Sequence, residues 1–167
     1  NGSAYPDEHG LCSDWGELHN TTGSRISLGG WALTDGNTTW LLPSHALSPD
    51  EYLVIFCDGD GKDPLHANFR LKAAGGETLS LKDASGDVED STVTIPLQTN
   101  VSAIRTEAGF VESPHSTPGY PNTEEGYVAY RATRVGTSDA LLLHEVLAKN
   151  TLTLPDADGA YPDYVEV

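Results

Sequence analysis

Two acidic loops hold the residue types best suited to chemistry. Cys57-Asp58-Gly-Asp60-Gly61 with Asp63, and Pro155-Asp156-Ala-Asp158-Gly159 with Asp163, place carboxylates at alternate positions and follow them with glycine. Calcium loops use such spacing, because about six to eight oxygens must converge while glycine turns the chain. Neither loop has the distal Glu of an EF-hand, and a matching segment near the N-terminus has His9 where the second loop has Asp158. The competing reading is an acidic turn whose Asp side chains accept nearby backbone amides. Both readings stay open here.

Hydrolytic chemistry needs a nucleophile, a base and an orienting group brought together. The chain has no Gly-x-Ser-x-Gly, no His-Glu-x-x-His and no glycine-rich phosphate loop followed by Lys. Its six His residues stand apart, none paired at i, i+2 or i, i+4. Paired carboxylates serve glycosidases, but among 25 acids chance pairs carry no weight. The expectation is a protein that is not an enzyme. No catalytic, cofactor-binding or metal-binding residue is nominated, and no cofactor.

Nine Lys+Arg against 25 Asp+Glu give a net charge of −16. Lys62, Arg70, Lys72 and Lys82 are dispersed among acids, so no basic patch offers itself to phosphates, and nucleic-acid binding is not expected. No stretch of apolar residues is long enough to predict a membrane span. Cys12 and Cys57 either form a disulfide, worth about 4 kcal/mol for a loop of that length, or remain two thiols. The second reading is preferred, because Cys12 aligns with Tyr161 in the repeat described below.

Trp15, Trp31 and Trp40 could build a stacking platform for sugars, yet tryptophans of a β-fold more often fill its core. Trp31, between Gly30 and Leu33, reads as core, whereas Trp40 beside a hairpin tip has the better claim to exposure. The Asn-x-Ser/Thr sites at Asn1, Asn20, Asn37 and Asn100 read as ordinary turns.

The elements that must position these residues are short. With 17 Gly, 10 Pro and 38% hydrophobic residues, apolar or alternating runs recur between turn signals, the pattern of an all-β chain. Strands are expected at Trp15–Asn20, Arg25–Leu28, Trp31–Thr34 and Thr39–Leu42, the last two joined through Asp35-Gly36-Asn37. Tyr52-Leu-Val-Ile-Phe56 is nearly all apolar and predicts a central strand covered on both faces. Glu77–Lys82 alternates, with Leu79 and Leu81 on one face, and returns as Val88–Ile95. Val101–Arg105, Phe110–Glu112 and Leu141–Leu147 are further strands. One short helix is predicted after Thr123, its cap, with Glu124 and Glu125 in the first turn and Arg131 and Arg134 in the last; Gly126 marks it as a linker.

Residues 1–18 align without a gap on 150–167, with six identities in eighteen positions. This reads as an internal repeat, one unit and the start of the next, and the chain is expected to be a window on a longer tandem array.

The ordered pieces resemble the lamin tail domain, a family of immunoglobulin-like antiparallel β-sandwiches. They are Asp14-Trp15 with Glu17-Leu18 and Asn20; Leu28-Gly-Gly-Trp31-Ala-Leu-Thr-Asp35; Trp40 with Leu42-Pro43; and Leu47-Ser-Pro-Asp-Glu-Tyr52-Leu-Val-Ile-Phe56. His66-Ala-Asn68-Phe69-Arg-Leu71, Gly76-Glu77-Thr78-Leu79, Val101-Ser102-Ala-Ile-Arg105 and Ser116-Thr-Pro-Gly119-Tyr-Pro-Asn122 complete the series over residues 12–122. Gly16 departs from the β-branched residue usual there, which predicts a weak or bulged strand.

The resemblance implies a sandwich over 1–122 that lacks its own first strand, a linker with a short helix over 123–139, and the opening strands of a second repeat over 140–167. Leu141, Leu143, Val146 and Leu147 would each gain about 1.5–3 kcal/mol on burial, together comparable with the net stability of a domain. Leu141–Ala148 is therefore expected to fill the gap, in its own chain or in a neighbour's by strand addition. Glu145, on the same strand, is expected to pair with Arg105. In function the resemblance implies a non-catalytic binding or tethering module, in tandem copies, of a bacterial secreted or cell-surface protein that engages a protein or a cell-surface polymer. The alternatives are calcium-dependent carbohydrate or cell-wall binding, and service as an accessory domain to an enzyme elsewhere in the polypeptide.

Overall fold

A computed structural model describes residues 5–134, 145–147, 155–160, 162 and 164–166. The chain divides into two compact units, Asn1–Tyr130 and Arg131–Val167. Among the described residues the fold is β-rich, built from antiparallel sheets with one short helix, as expected. No helix among the described residues is long and apolar enough to cross a membrane.

In the first unit, β1 (Trp15–His19) pairs with β6 (Tyr52–Phe56), and β2 (Ile26–Ser27) pairs with β5 (Ala46–Leu47). A four-stranded sheet runs in the order β4 (Thr39–Leu41), β3 (Ala32–Thr34), β7 (Thr78–Lys82), β8 (Val88–Val93). A separate hairpin joins β9 (Ser102–Thr106) to β10 (Gly109–Ser113). The β3–β4 turn forms because the Asp35 side chain accepts the Asn37 and Thr38 amides, at 2.9 and 2.6 Å.

One hydrophobic core collects side chains from several sheets, among them Leu33, Trp40, Leu47, Leu53, Ile55 and Phe69. Leu33 lies opposite Trp40 on one side of its ladder and opposite Leu81 on the other. Leu79 and Leu81 both pack against that core, as their alternation predicts. Asn20 is buried and satisfies its own surroundings. Its Nδ2 donates to the carbonyls of Ser24, Leu47 and Ser48 at 2.8–3.1 Å, and its Oδ1 accepts from Thr22.

Three expectations need correction. Trp40 is not exposed; it is 8% accessible, because β4 alternates and Trp40 shares the inward face with Leu33. Tyr52–Phe56 is not covered on both faces: Leu53, Ile55 and Phe56 are buried while Tyr52 and Val54 are half-exposed, so one face retains access to water. Gly16 causes no bulge, since β1 keeps unbroken register with β6 from Trp15 opposite Phe56 to His19 opposite Tyr52. The irregularity falls instead between Leu81 and Lys82.

The helix spans Glu124–Arg134 (α1) with the expected end charges, and the Thr123 hydroxyl accepts the Gly126 amide at 3.1 Å. Gly126 and Tyr130 are buried. A Cβ at Gly126 would stand 2.0 Å from the Pro121 carbonyl oxygen, so only glycine lets the helix approach this closely. Tyr130 meets Tyr5, which also contacts Trp15 and stacks on Phe56 at 5.7 Å. This aromatic nest joins Tyr130 of the helix to the segment before β1.

In the second unit, β11 (Glu145–Leu147) pairs with β12 (Tyr164–Glu166). The rest of Leu141–Ala148 and the side chain of Glu145 lie outside the described residues.

Candidate functional site

Among the described residues, several titratable groups gather where the segment before β1 meets the loop after β6. Each half is built by local chain chemistry. Asp7 begins a five-residue turn in which its Oδ1 accepts the His9 and Leu11 amides at 2.9 and 2.8 Å, while Gly10 takes positive φ. The turn leaves Glu8 and His9 exposed. Asp156 makes the same contacts to Asp158 and Ala160, and Asp83 makes them to Ser85 and Asp87. The geometry therefore belongs to the Asp-x-x-Gly pentapeptide, and it uses the Asp carboxylate for backbone amides.

The second half starts where β6 ends. A parallel bridge joins Phe56 to His66, and an antiparallel one joins Asp58 to Arg70. Folding residues 57–66 back in this way places His66 Nδ1 2.5 Å from Asp58 Oδ2. The His66 ring is almost wholly buried, 5.1 Å from the Phe56 ring. Its other nitrogen, Nε2, reaches Glu8 Oε2 at 3.3 Å. His9 Nε2 then meets Asp63 Oδ2 at 3.1 Å, so two imidazole–carboxylate contacts tie the turn to the loop.

The charges respond to one another. Burial alone would lower the His66 pKa, but hydrogen bonds to Asp58 and Glu8 outweigh it and raise the value. His9 is raised chiefly by its hydrogen bond to Asp63. Glu8 is lowered, first by a backbone amide and then by His66. Asp58 is also lowered: burial opposes this, but the Asp60 amide and His66 prevail.

Beside this cluster lies an open cleft of about 300 Å³ lined by Cys12, Ser13, Asp14, Cys57, Asp58 and Arg70. Both cysteines are free thiols, the reading preferred from sequence. Burial, reinforced by Asp14 and Asp58, pushes the Cys57 thiol up to about 12. A nucleophilic cysteine needs the opposite surroundings. Arg70 Nε donates to the Asp58 carbonyl at 2.6 Å and closes the loop.

The three acids of the first candidate calcium loop go to three different partners. Asp58 holds His66 and the Asp60 amide, Asp60 pairs with Lys62 at 2.6 Å, and Asp63 meets His9. In the second loop Asp156 is occupied by the turn, and Asp163 lies outside the described residues. Of the Asn-x-Ser/Thr sites, Asn20 is buried, Asn37 and Asn100 are exposed, and Asn1 lies outside the described residues. Arg105 pairs with Asp90 and sits 4.9 Å over the Phe110 ring.

Sequence reasoning missed Glu8, His9 and His66 as a group. They are brought together across separations of 54 and 58 residues, which no local spacing rule reads. No protein-family model matches the chain, and no curated protein is significantly similar to it.

Proposed function

We propose that the chain is a non-catalytic binding or tethering module of lamin-tail type, an immunoglobulin-like sandwich borne in tandem by a bacterial secreted or cell-surface protein. The observation that carries this reading is where the motif residues fall. Asn20, Leu28, Trp40, Phe69 and Glu77 are all buried and occupied with packing, with backbone groups or, for Glu77, also with Lys72. Several sheets sharing one core supports the sandwich.

What such a module presents to a partner is its edge. β8 lies at the end of the four-stranded sheet, exposed along nearly its whole length, with Val88 and Val93 58% and 59% accessible. An exposed edge strand offers unpaired backbone groups to an added strand.

The test is retention of fluorescently labelled chain on bacterial envelopes, read by flow cytometry. Retention is expected to saturate, to be indifferent to added calcium and to fall at least tenfold in Val88→Lys/Val93→Lys. Absence of saturable retention, or turnover of ester, phosphate or glycoside substrates by the chain, overturns the reading.

A further inference from the structure

We infer that Glu8, His9 and Asp63 form a binding site for a zinc-type divalent cation, which staples the segment before β1 to the loop after β6. One ligand atom from each of the three residues lies within 4.8 Å of the other two. Ligands about 2.1 Å from a tetrahedral zinc stand roughly 3.4 Å apart. His9 Nε2 and Asp63 Oδ2 are already 3.1 Å apart, so an ion between them needs only a small adjustment of two exposed side chains. Three protein ligands leave the fourth tetrahedral position to water.

A second feature separates this cluster from a chance surface ion pair. Metal-ligating groups are commonly held by hydrogen bonds from a further layer of residues, which fixes their orientation. Here Glu8 is held from behind by His66 at 3.3 Å, and His66 is held in turn by Asp58 at 2.5 Å. The His66 side chain is only 3% accessible, so the exposed Glu8 carboxylate rests on a partner fixed in the folded interior. A carboxylate has two oxygens, and His66 occupies one, leaving Glu8 able to ligate through the other.

The donor set also selects the ion. One imidazole with two carboxylates suits zinc and its neighbours in the transition series. Calcium requires about six to eight oxygens, and the other acids of the turn and the loop, Asp7, Asp58 and Asp60, are engaged by backbone amides, His66 and Lys62.

Binding would matter because it closes a loop: residues 8 and 63 belong to segments otherwise joined through Tyr5, the β1–β6 ladder and His66. An ion that binds only the folded form raises stability with its concentration. This inference does not depend on the tethering reading, and its test does not involve a partner.

The experiment is calorimetric titration of the full 167-residue chain, stripped with chelator, with zinc chloride, alongside thermal melts. One zinc per chain is expected, with a melting temperature that climbs with zinc concentration and not with calcium. His9→Ala and Asp63→Asn should each weaken binding at least tenfold, and His66→Gln by a smaller factor. His115→Ala, which removes a different His–carboxylate contact (to Glu124, 3.4 Å), should leave binding unchanged. Cobalt in place of zinc should give the visible spectrum of a tetrahedral ion, a readout that a merely destabilised variant would not mimic. No heat at millimolar zinc, or binding that survives in the His9→Ala/Asp63→Asn double variant, overturns the site.

Discussion

Glu17 Oε1 accepts the Gly119 amide at 2.6 Å, joining the middle of β1 to the closing turn across 102 residues of sequence. Burial raises the Glu17 pKa to about 7, against the opposing pull of the Gly119 amide and His19. A carboxyl whose folded pKa is raised contributes stability that is fully present below its unfolded value of about 4.5. That contribution is lost as pH climbs through about 7. Glu17→Gln keeps an acceptor for Gly119 and removes the charge. At about pH 8 it should be more stable than the parent by about 1–2 kcal/mol, discounted for partial exposure, and nearly equal to it near pH 4. Urea denaturation of both proteins at the two pH values checks this. A difference that does not change with pH would sink it.

Gly126→Ala tests whether the helix start is docked. In an exposed helix this change gains about 1 kcal/mol. With the Pro121 carbonyl oxygen 2.0 Å from the new Cβ, it should instead cost about 1–3 kcal/mol. Thermal melting followed by circular dichroism distinguishes the two signs.

The cysteines should differ in reactivity. Cys57 is 1% accessible and its thiol is held near 12, so almost no thiolate is available to an alkylating agent. Cys12 is only partly covered. Iodoacetamide followed by peptide mapping should find Cys12 modified in the native protein and Cys57 only after urea. Equal labelling of both would show that the core around Cys57 opens readily.

Asn20→Asp should be harsher than its small change in size suggests. The amide nitrogen that donates to three carbonyls becomes an oxygen that can only repel them. A loss of about 3 kcal/mol or more is expected at neutral pH, exceeding that of Asn20→Ala. Chemical denaturation of the two variants compares them directly.

Local features were readable in the chain. Tyr52–Phe56 emerges with the bounds its composition implies, and α1 starts behind Thr123 with its acids and bases at the expected ends. The Asp35-Gly36-Asn37 hairpin and the inward pair Leu79 and Leu81 also follow. Each of these depends on residues within a few positions of one another: β-branched and aromatic preference, capping, turn chemistry and the period of two along a strand.

The burial of Trp40 and the cluster were not readable, because both depend on what lies across space. Trp40 looked exposed beside its hairpin, yet its face was chosen by the register that sets it opposite Leu33. Glu8, His9, Asp63 and His66 carry no spacing signature, since their meeting follows from the Phe56–His66 bridge and the Tyr5–Phe56 stack. Sequence by itself determined the short strands, their turns and the cap, all set by forces that act over one or two turns of chain. Only the tertiary structure decided which side chains those strands bury and which distant charges they bring within reach, because packing and loop closure are properties of the whole folded chain.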